Sequence, residues 1–138
     1  MSESNESHGV PLPFVRHMLL CEDVSADSRN EKRVTVRGFF STINSGTHGF
    51  PLPVGFCVFL QLSEGRRSGS GRVRITADDR EDVIYESEEF WLEFNGNPLH
   101  VYMYSYRVSN CVIPASGTYD VEFVFEGFSL AREILVIR

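Results

Sequence analysis

The sequence predicts an all-β protein, and more specifically a two-sheet antiparallel sandwich of about eight strands with an immunoglobulin-like or C2-like topology. Apolar and polar side chains alternate at two-residue spacing over residues 117–127, which is the period of a strand with one buried face. Strand-like runs recur at a spacing of roughly 8–16 residues between turn-forming clusters, as is typical of sandwiches. No window shows a helical period of 3.6 residues.

The predicted strands follow one another along the chain with short connections. The first contains a continuous apolar run from Met18 to Cys21, which favours burial on both faces. Gly38 in the second indicates a bulge or a close backbone approach. Residues 83–94 form either one bent strand or two short ones, and the short segment 111–114 leads to a closing hairpin that turns at 126–127. The strands are predicted at residues 14–24, 33–37, 54–62, 72–77, 83–94, 99–109, 119–125 and 130–137.

The connections carry turn chemistry. The strongest signal is the Asn-Gly-Asn-Pro sequence at 95–98, and residues 64–71 read as a flexible glycine-rich turn. The polar segments 22–32 and 78–82 are the only places where a turn or two of helix is expected. Residues 1–9 are predicted to be a disordered leader, and residues 10–138 a single domain.

Composition narrows the function classes. The chain has 138 residues, 42% of them hydrophobic and 12% aromatic, which excludes wholesale disorder. The formal net charge of −6 argues against nucleic-acid binding, because phosphate recognition needs a basic surface. The polar, acidic start is unlike a signal peptide, and no apolar run reaches the ~20 residues of a membrane span. We therefore expect a cytoplasmic protein that binds neither nucleic acid nor membrane.

Three cysteines, Cys21, Cys57 and Cys111, lie in or beside apolar strands. Three reduced core thiols are the simplest interpretation, and one disulfide with one free thiol is the alternative. His17 and Cys21 would lie ~13 Å apart along a strand, too far to share a metal. We expect no metal, no cofactor and no catalytic residues. A hydrolase that pairs a cysteine with a histidine is the third functional hypothesis.

Two groups of residues are candidates for partner binding. Arg66, Arg67, Arg72 and Arg74 form the only local basic strip, and arginine suits the recognition of carboxylate or phosphate. The alternative is a solvated face that is balanced by Glu86, Glu88 and Glu89.

The second group is aromatic: Trp91 with Tyr102, Tyr104 and Tyr106. These side chains predict a platform for a sugar or a peptide if they face solvent, and core packing if they do not. Tyr119, just after Gly117 at a strand start, is similar to the tyrosine corner of immunoglobulin-like sandwiches, which is a structural feature.

Several short motifs together resemble an uncharacterised bacterial family of small β-sandwich proteins, a domain of unknown function. The motifs are a Leu-Cys-Glu-Asp segment at 20–23, a glycine-aromatic strand at 36–43, a Phe-Pro entry at 50–51, Gly117 with Tyr119, and the hairpin turn at 126–127. The resemblance covers most of residues 14–138 and implies a sandwich fold, and the family supplies no catalytic residues that could be carried over to this sequence.

These observations predict a non-enzymatic module that binds another protein, with self-association as one form of that binding. A small-ligand or carbohydrate-binding sandwich is the alternative.

Overall fold

The computed structural model of the protein describes residues 11–27, 30–78 and 81–138. These ranges contain eleven strands and no helix. In chain order the strands are β1 (Phe14–Cys21), β2 (Asp23–Asp27), β3 (Asn30–Arg37), β4 (Thr42–Ile43), β5 (Leu52–Ser63), β6 (Gly69–Ala77), β7 (Val83–Glu86), β8 (Phe90–Leu92), β9 (Val101–Ile113), β10 (Gly117–Phe125) and β11 (Phe128–Ile137).

The strands form three sheets. One has three strands in the order β1-β5-β9, and a larger one has the order β4-β11-β10-β6-β7, with β8 also paired to β6. The third consists of β2 and β3 alone. None of the sheets closes into a barrel. All pairings are antiparallel except the short parallel contact of β4 with the end of β11.

The main core lies between the two larger sheets. Alternate side chains of each strand point into it, as the two-residue period predicts. The fully buried members include Phe56, Val58, Leu60 and Leu62 from β5, Val73 and Ile75 from β6, Val121, Phe123 and Phe125 from β10, and Leu135 and Ile137 from β11.

A second, smaller core lies on the outer face of the three-stranded sheet. Cys21, Cys57 and Phe59 are buried there beneath the β2–β3 hairpin. Partly buried side chains pack around them: Leu19, Val24, Val34, Val36 and Met103. The β1 run 18–21 is therefore covered on both faces, as its continuous apolar sequence predicts. Met18 and Leu20 belong to the main core, and Leu19 and Cys21 to the second.

Three predictions about the strands need correction. The polar segment 22–32, a candidate for a helical turn, lies mostly in β2 and β3, because alternate valines of this hairpin find an apolar surface on β5. Residues 83–94 form two separate strands, β7 and β8. These strands, the hairpin and β4 together raise the number of strands above the predicted eight. The short segment 111–114 is not separate either, since β9 runs through to Ile113.

Other local predictions are confirmed. Gly38 has φ of +67°, and a Cβ there would lie 2.5 Å from the side chain of Glu22, so glycine is required by both space and conformation. The Tyr119 hydroxyl donates a hydrogen bond to the Ala115 carbonyl at 2.5 Å, which is the upstream backbone bond of a tyrosine corner. The predicted leader at 1–9 and the centre of the 78–82 turn lie outside the described residues.

In the described ranges, no helix has the length and apolar character needed to cross a bilayer.

Candidate functional site

Arg72 and Arg74 lie on the outer face of the larger sheet and are neutralised there. The Arg72 guanidinium contacts Glu86 at 3.0 Å and Glu89 at 2.9 Å, and its pKa is raised, first through the hydrogen bond to Glu86. Arg74 donates to Glu122 at 3.1 Å. Arg72 and Arg74 thus match the alternative interpretation, a solvated face balanced by glutamates. The sequence did not indicate Glu122 as one of these glutamates.

The glycine-rich segment before β6 is packed rather than flexible. Gly65 and Gly69 are both buried, and a Cβ on Gly65 would lie 2.5 Å from the Phe94 ring. At Gly69 the same atom would lie 2.6 Å from Phe125. The glycines are needed because aromatic rings lie directly against the backbone. Arg66 and Arg67 are exposed on this fixed segment.

Tyr102, Tyr104 and Tyr106 face the main core and not solvent. Each is partly buried, and each hydroxyl has a partner: Asn95 for Tyr102, the Glu93 carbonyl for Tyr104 and the Tyr85 hydroxyl for Tyr106. Burial raises the pKa of Tyr104, and the neighbouring Tyr102 raises it further. Burial likewise raises the pKa of Tyr85, as does its hydrogen bond to Tyr106. The tyrosines therefore play the core-packing role that was the alternative to a platform.

Trp91 is separated from the tyrosines. It lies on β8 opposite Ser70 with 62% of its surface exposed, on the outer side of the larger sheet. Its Nε1 donates to Glu93 Oε1 at 2.8 Å, which fixes the orientation of the indole. The structure therefore does not assemble the predicted aromatic platform, although it leaves one oriented tryptophan in solvent.

Tyr102 also fixes the loop between β8 and β9. The Tyr102 hydroxyl accepts a hydrogen bond from Asn95 N at 2.7 Å and donates to Asn95 Oδ1 at 2.6 Å. Asn95 Oδ1 also accepts from Asn97 N, and Asn97 Oδ1 accepts from Leu99 N at 2.9 Å. Glu64 N reaches the Pro98 carbonyl at 3.1 Å. The turn predicted at 95–98 is thus stabilised by hydrogen bonds from Tyr102, from Glu64 and within the turn itself.

This fixed loop presents Leu99, which is 87% exposed, beside other exposed apolar side chains. Phe14 is 55% and Val101 41% exposed, and both flank Ser63 in one row across the three-stranded sheet. Directly opposite residues of antiparallel strands project from the same face. Phe14 and Val101 therefore project from the same face at this end of the sheet, with Ser63 between them, and Leu99 lines a cleft together with Ser63 and Val101.

Two arginines border the same surface. A cleft of about 400 Å³ is lined by Arg16, Ser63, Glu64, Arg66, Pro98, Leu99 and Val101. Within the described ranges, neither Arg16 nor Arg66 has a carboxylate within ion-pair distance. We call Phe14, Arg16, Arg66, Leu99 and Val101 the arginine–apolar patch.

Of the residues predicted to bind a partner, only Arg66 lies in this patch. Arg67 is its exposed neighbour but does not line the cleft. The sequence did not indicate Phe14, Arg16, Leu99 or Val101. One signal was available at Leu99, since a large aliphatic residue directly after a tight polar turn has few ways to be buried.

The thiols show no catalytic arrangement in the described part of the chain. All three cysteines are free and buried, and none of them hydrogen bonds to an imidazole there. Burial raises the pKa of Cys111 to about 11, and it also raises the pKa of Cys21, with a further increase from Cys57. Among the residues in the described ranges, no group of three or more potential ligand side chains is arranged to hold a metal ion.

Comparison with known proteins gives a family and no activity. No curated protein matches the chain. A β-D-glucoside glucohydrolase from Trichoderma reesei is among the solved structures that match, with a TM-score of 0.47 and 8% identity over 92% of this chain. The chain spans only 19% of that protein's length. A family model, described as a family of unknown function (DUF6941), matches residues 16–138. The chain therefore belongs to the DUF6941 family, which confirms the resemblance to a domain of unknown function.

Proposed function

We propose that this protein is a non-enzymatic interaction module, an immunoglobulin-like or C2-like sandwich, that binds another protein through the arginine–apolar patch. The observation that carries the proposal is the exposure of Leu99 on a loop fixed by hydrogen bonds. An apolar side chain held in solvent by a rigid backbone loses little conformational entropy on binding. Exposure on such a loop therefore favours a contact surface.

The chemistry of the patch indicates the chemistry of its partner. Protein interfaces combine an apolar centre with arginine, which is enriched where binding energy concentrates. Here the apolar centre is Phe14, Leu99 and Val101. Glu64 lines the same cleft, but no carboxylate of the described residues lies within ion-pair distance of the guanidinium groups of Arg16 and Arg66. We therefore expect a partner surface with an apolar anchor flanked by Asp or Glu side chains.

A reducing compartment is part of the proposal. Three buried thiols without a disulfide are usual for proteins of the cytoplasm and unusual for secreted ones.

A photo-crosslinking amino acid at position 99 tests the proposal in the native cells. We expect it to capture one defined protein, while the same amino acid at Ile134 captures none. Ile134 is the matched control because it is 54% exposed on the outer face of the other sheet. A captured second copy of this chain would identify the partner as itself, and sedimentation equilibrium of the purified protein would then show a dimer.

Affinity for the captured protein is then measured with purified variants. Leu99→Asp and Arg66→Glu should each weaken binding at least ~10-fold, since hot-spot residues of an interface cost ~2 kcal/mol or more when removed and ~1.4 kcal/mol is tenfold. Ile134→Asp should leave the affinity unchanged. Equal affinities for all three variants would contradict the proposal.

A second candidate function, the binding of a carbohydrate or other small ligand, is favoured by Trp91 alone. The oriented indole lies next to a groove of about 180 Å³ that includes Ser70, Arg72, Glu89 and Glu126. An exposed aromatic face beside fixed polar groups suits a sugar ring. A thermal-shift screen against a glycan panel should then show a ligand that stabilises the wild type and not Trp91→Ala. The absence of any shift would remove this candidate.

A further inference from the structure

Two of the three cysteines are direct neighbours across a pair of strands. Cys21 ends β1, Cys57 lies in β5, and the antiparallel register places them opposite each other. Both are buried and free, and Cys21 Sγ approaches the Cys57 carbonyl oxygen at 3.7 Å. Since opposite residues share a face, the two thiols lie side by side in the second core.

This placement suits a disulfide. Opposite residues of an antiparallel pair have Cα atoms about 4.5–5.5 Å apart, within the range of about 4.4–6.8 Å that a disulfide spans. Cys111 lies in the other core, between the two larger sheets, and its register partner is Val54. It is therefore separated from the pair by the sheet itself.

The β2–β3 hairpin covers the pair and is fastened at its base. Asp23 accepts a hydrogen bond from Arg37, and the Arg107 guanidinium lies 3.9 Å from Asp23. Arg107 also donates to the Glu22 carbonyl at 2.9 Å. These contacts join β2 and β3 to β9 directly beside Cys57, whose partner on β9 is Arg107.

We propose that Cys21 and Cys57 are a redox-modification site, a dithiol that a small disulfide such as oxidised glutathione converts reversibly to an intramolecular disulfide. The Cys57 thiolate attacks one glutathione sulfur, the glutathione S–S bond breaks, and the released thiolate takes up a proton. The Cys21 thiolate then attacks the Cys57 sulfur and displaces the second glutathione, which also takes up a proton. The protein loses two hydrogen atoms, and two glutathione thiols form. This site is independent of the arginine–apolar patch.

The hairpin sets the rate of this reaction. Thiolates and not thiols attack disulfides. Burial raises the pKa of Cys21, so the closed hairpin keeps the Cys21 thiol protonated, and it keeps both thiols inaccessible. Opening of the hairpin exposes the thiols to the reagent. Weakening the contacts at its base should therefore accelerate oxidation.

The test treats the reduced full-length chain with oxidised glutathione and maps the product. We expect a mass lower by two hydrogens, a single peptide link between Cys21 and Cys57, one remaining thiol that reacts with iodoacetamide after unfolding, and full recovery with dithiothreitol. Asp23→Asn should shorten the half-time about two-fold.

Two alanine variants provide the controls. Cys111→Ala should form the same link, and Cys57→Ala should form none. If Cys57→Ala does not fold, the peptide map of the wild type and of Cys111→Ala decides the matter. Retention of all three thiols, stable glutathione adducts without an internal link, or links only between molecules would each overturn the proposal.

Discussion

The outer face of the three-stranded sheet is buried at one end and exposed to solvent at the other. At one end the β2–β3 hairpin buries Cys21, Cys57 and Phe59. At the other end Phe14 and Val101 stay in solvent, and no element of the described residues covers them. The two ends lie on the same strands, and the β1–β5 register shifts at a bulge between Val15 and His17, which separates them. The chain covers one apolar end and leaves the other bordered by arginine.

This contrast indicates what each end does. An apolar surface covered by the protein's own hairpin contributes to stability, whereas one left exposed on rigid elements costs solubility unless something binds it. Removing side chains at the covered end should therefore change stability, and removing them at the open end should change binding. Three measurements test this contrast, and a fourth tests the main core beneath the sheet.

The largest difference is expected between two phenylalanines of the same outer face. Phe59→Ala should lower the free energy of unfolding by about 4 kcal/mol, because it leaves a cavity under the hairpin. Phe14→Ala should change it by no more than ~0.5 kcal/mol, because the ring is already exposed. Urea denaturation of both variants gives the values, and similar losses at the two positions would remove the contrast.

Alkaline pH should lower the free energy of unfolding through Cys111, the thiol of the main core. The pKa of Cys111 is raised to about 11, whereas an unfolded cysteine ionises near 8.5. The folded state thus holds this proton more tightly. The protonated Cys111 thiol contributes to the free energy of unfolding. This contribution is fully present below pH ~8.5 and is lost as the pH rises towards about 11, by up to about 3 kcal/mol. Unfolding of the wild type should therefore become easier over this range than that of Cys111→Ala. Parallel pH profiles would contradict the assignment.

The open end depends on Tyr102, which fixes the loop that presents Leu99. Tyr102→Phe removes the hydroxyl between Asn95 N and Asn95 Oδ1 and should cost about 1 kcal/mol of stability. It should also weaken partner binding several-fold, since the loop must then be ordered on binding. Tyr104→Phe is the matched control, because its hydroxyl bonds to Glu93 outside the turn. It should lose similar stability and no affinity.

The smallest effect is expected at the base of the hairpin. Asp23→Asn removes an exposed ion pair with Arg37, and such pairs contribute about 0.5 kcal/mol. The loss should be larger in low salt, because screening already weakens the pair in high salt. Hydrogen exchange of the amides in β2 and β3 at two ionic strengths measures it. Unchanged protection in both would show that apolar packing alone holds the hairpin.

Sequence periodicity was sufficient for the parts of the fold in which side chains alternate or turn chemistry is strong. The final hairpin and the Asn-Gly-Asn-Pro turn were predicted correctly for this reason, and the hydrogen bond of Tyr119 agrees with its similarity to a tyrosine corner. Strands at 14–24 and 33–37 were predicted, but the hairpin of β2 and β3 was missed because residues 25–32 are mostly polar. Only the structure shows that Val24, Val34 and Val36 pack on the apolar surface of β5.

The candidate site depended even more on the tertiary structure. The two-residue spacing of the β9 tyrosines predicted that they share one face of the strand. Only the packing of β9 against the main core showed that this face points inward. Carboxylates on other strands balance Arg72 and Arg74, whereas Arg66 forms no ion pair with any residue that the structure describes. An all-β chain, its turns and its resemblance to a family of unknown function therefore followed from residue patterns alone. The patch required the structure, since side chains of Phe14, Arg66 and Leu99 meet only through strand register and loop closure.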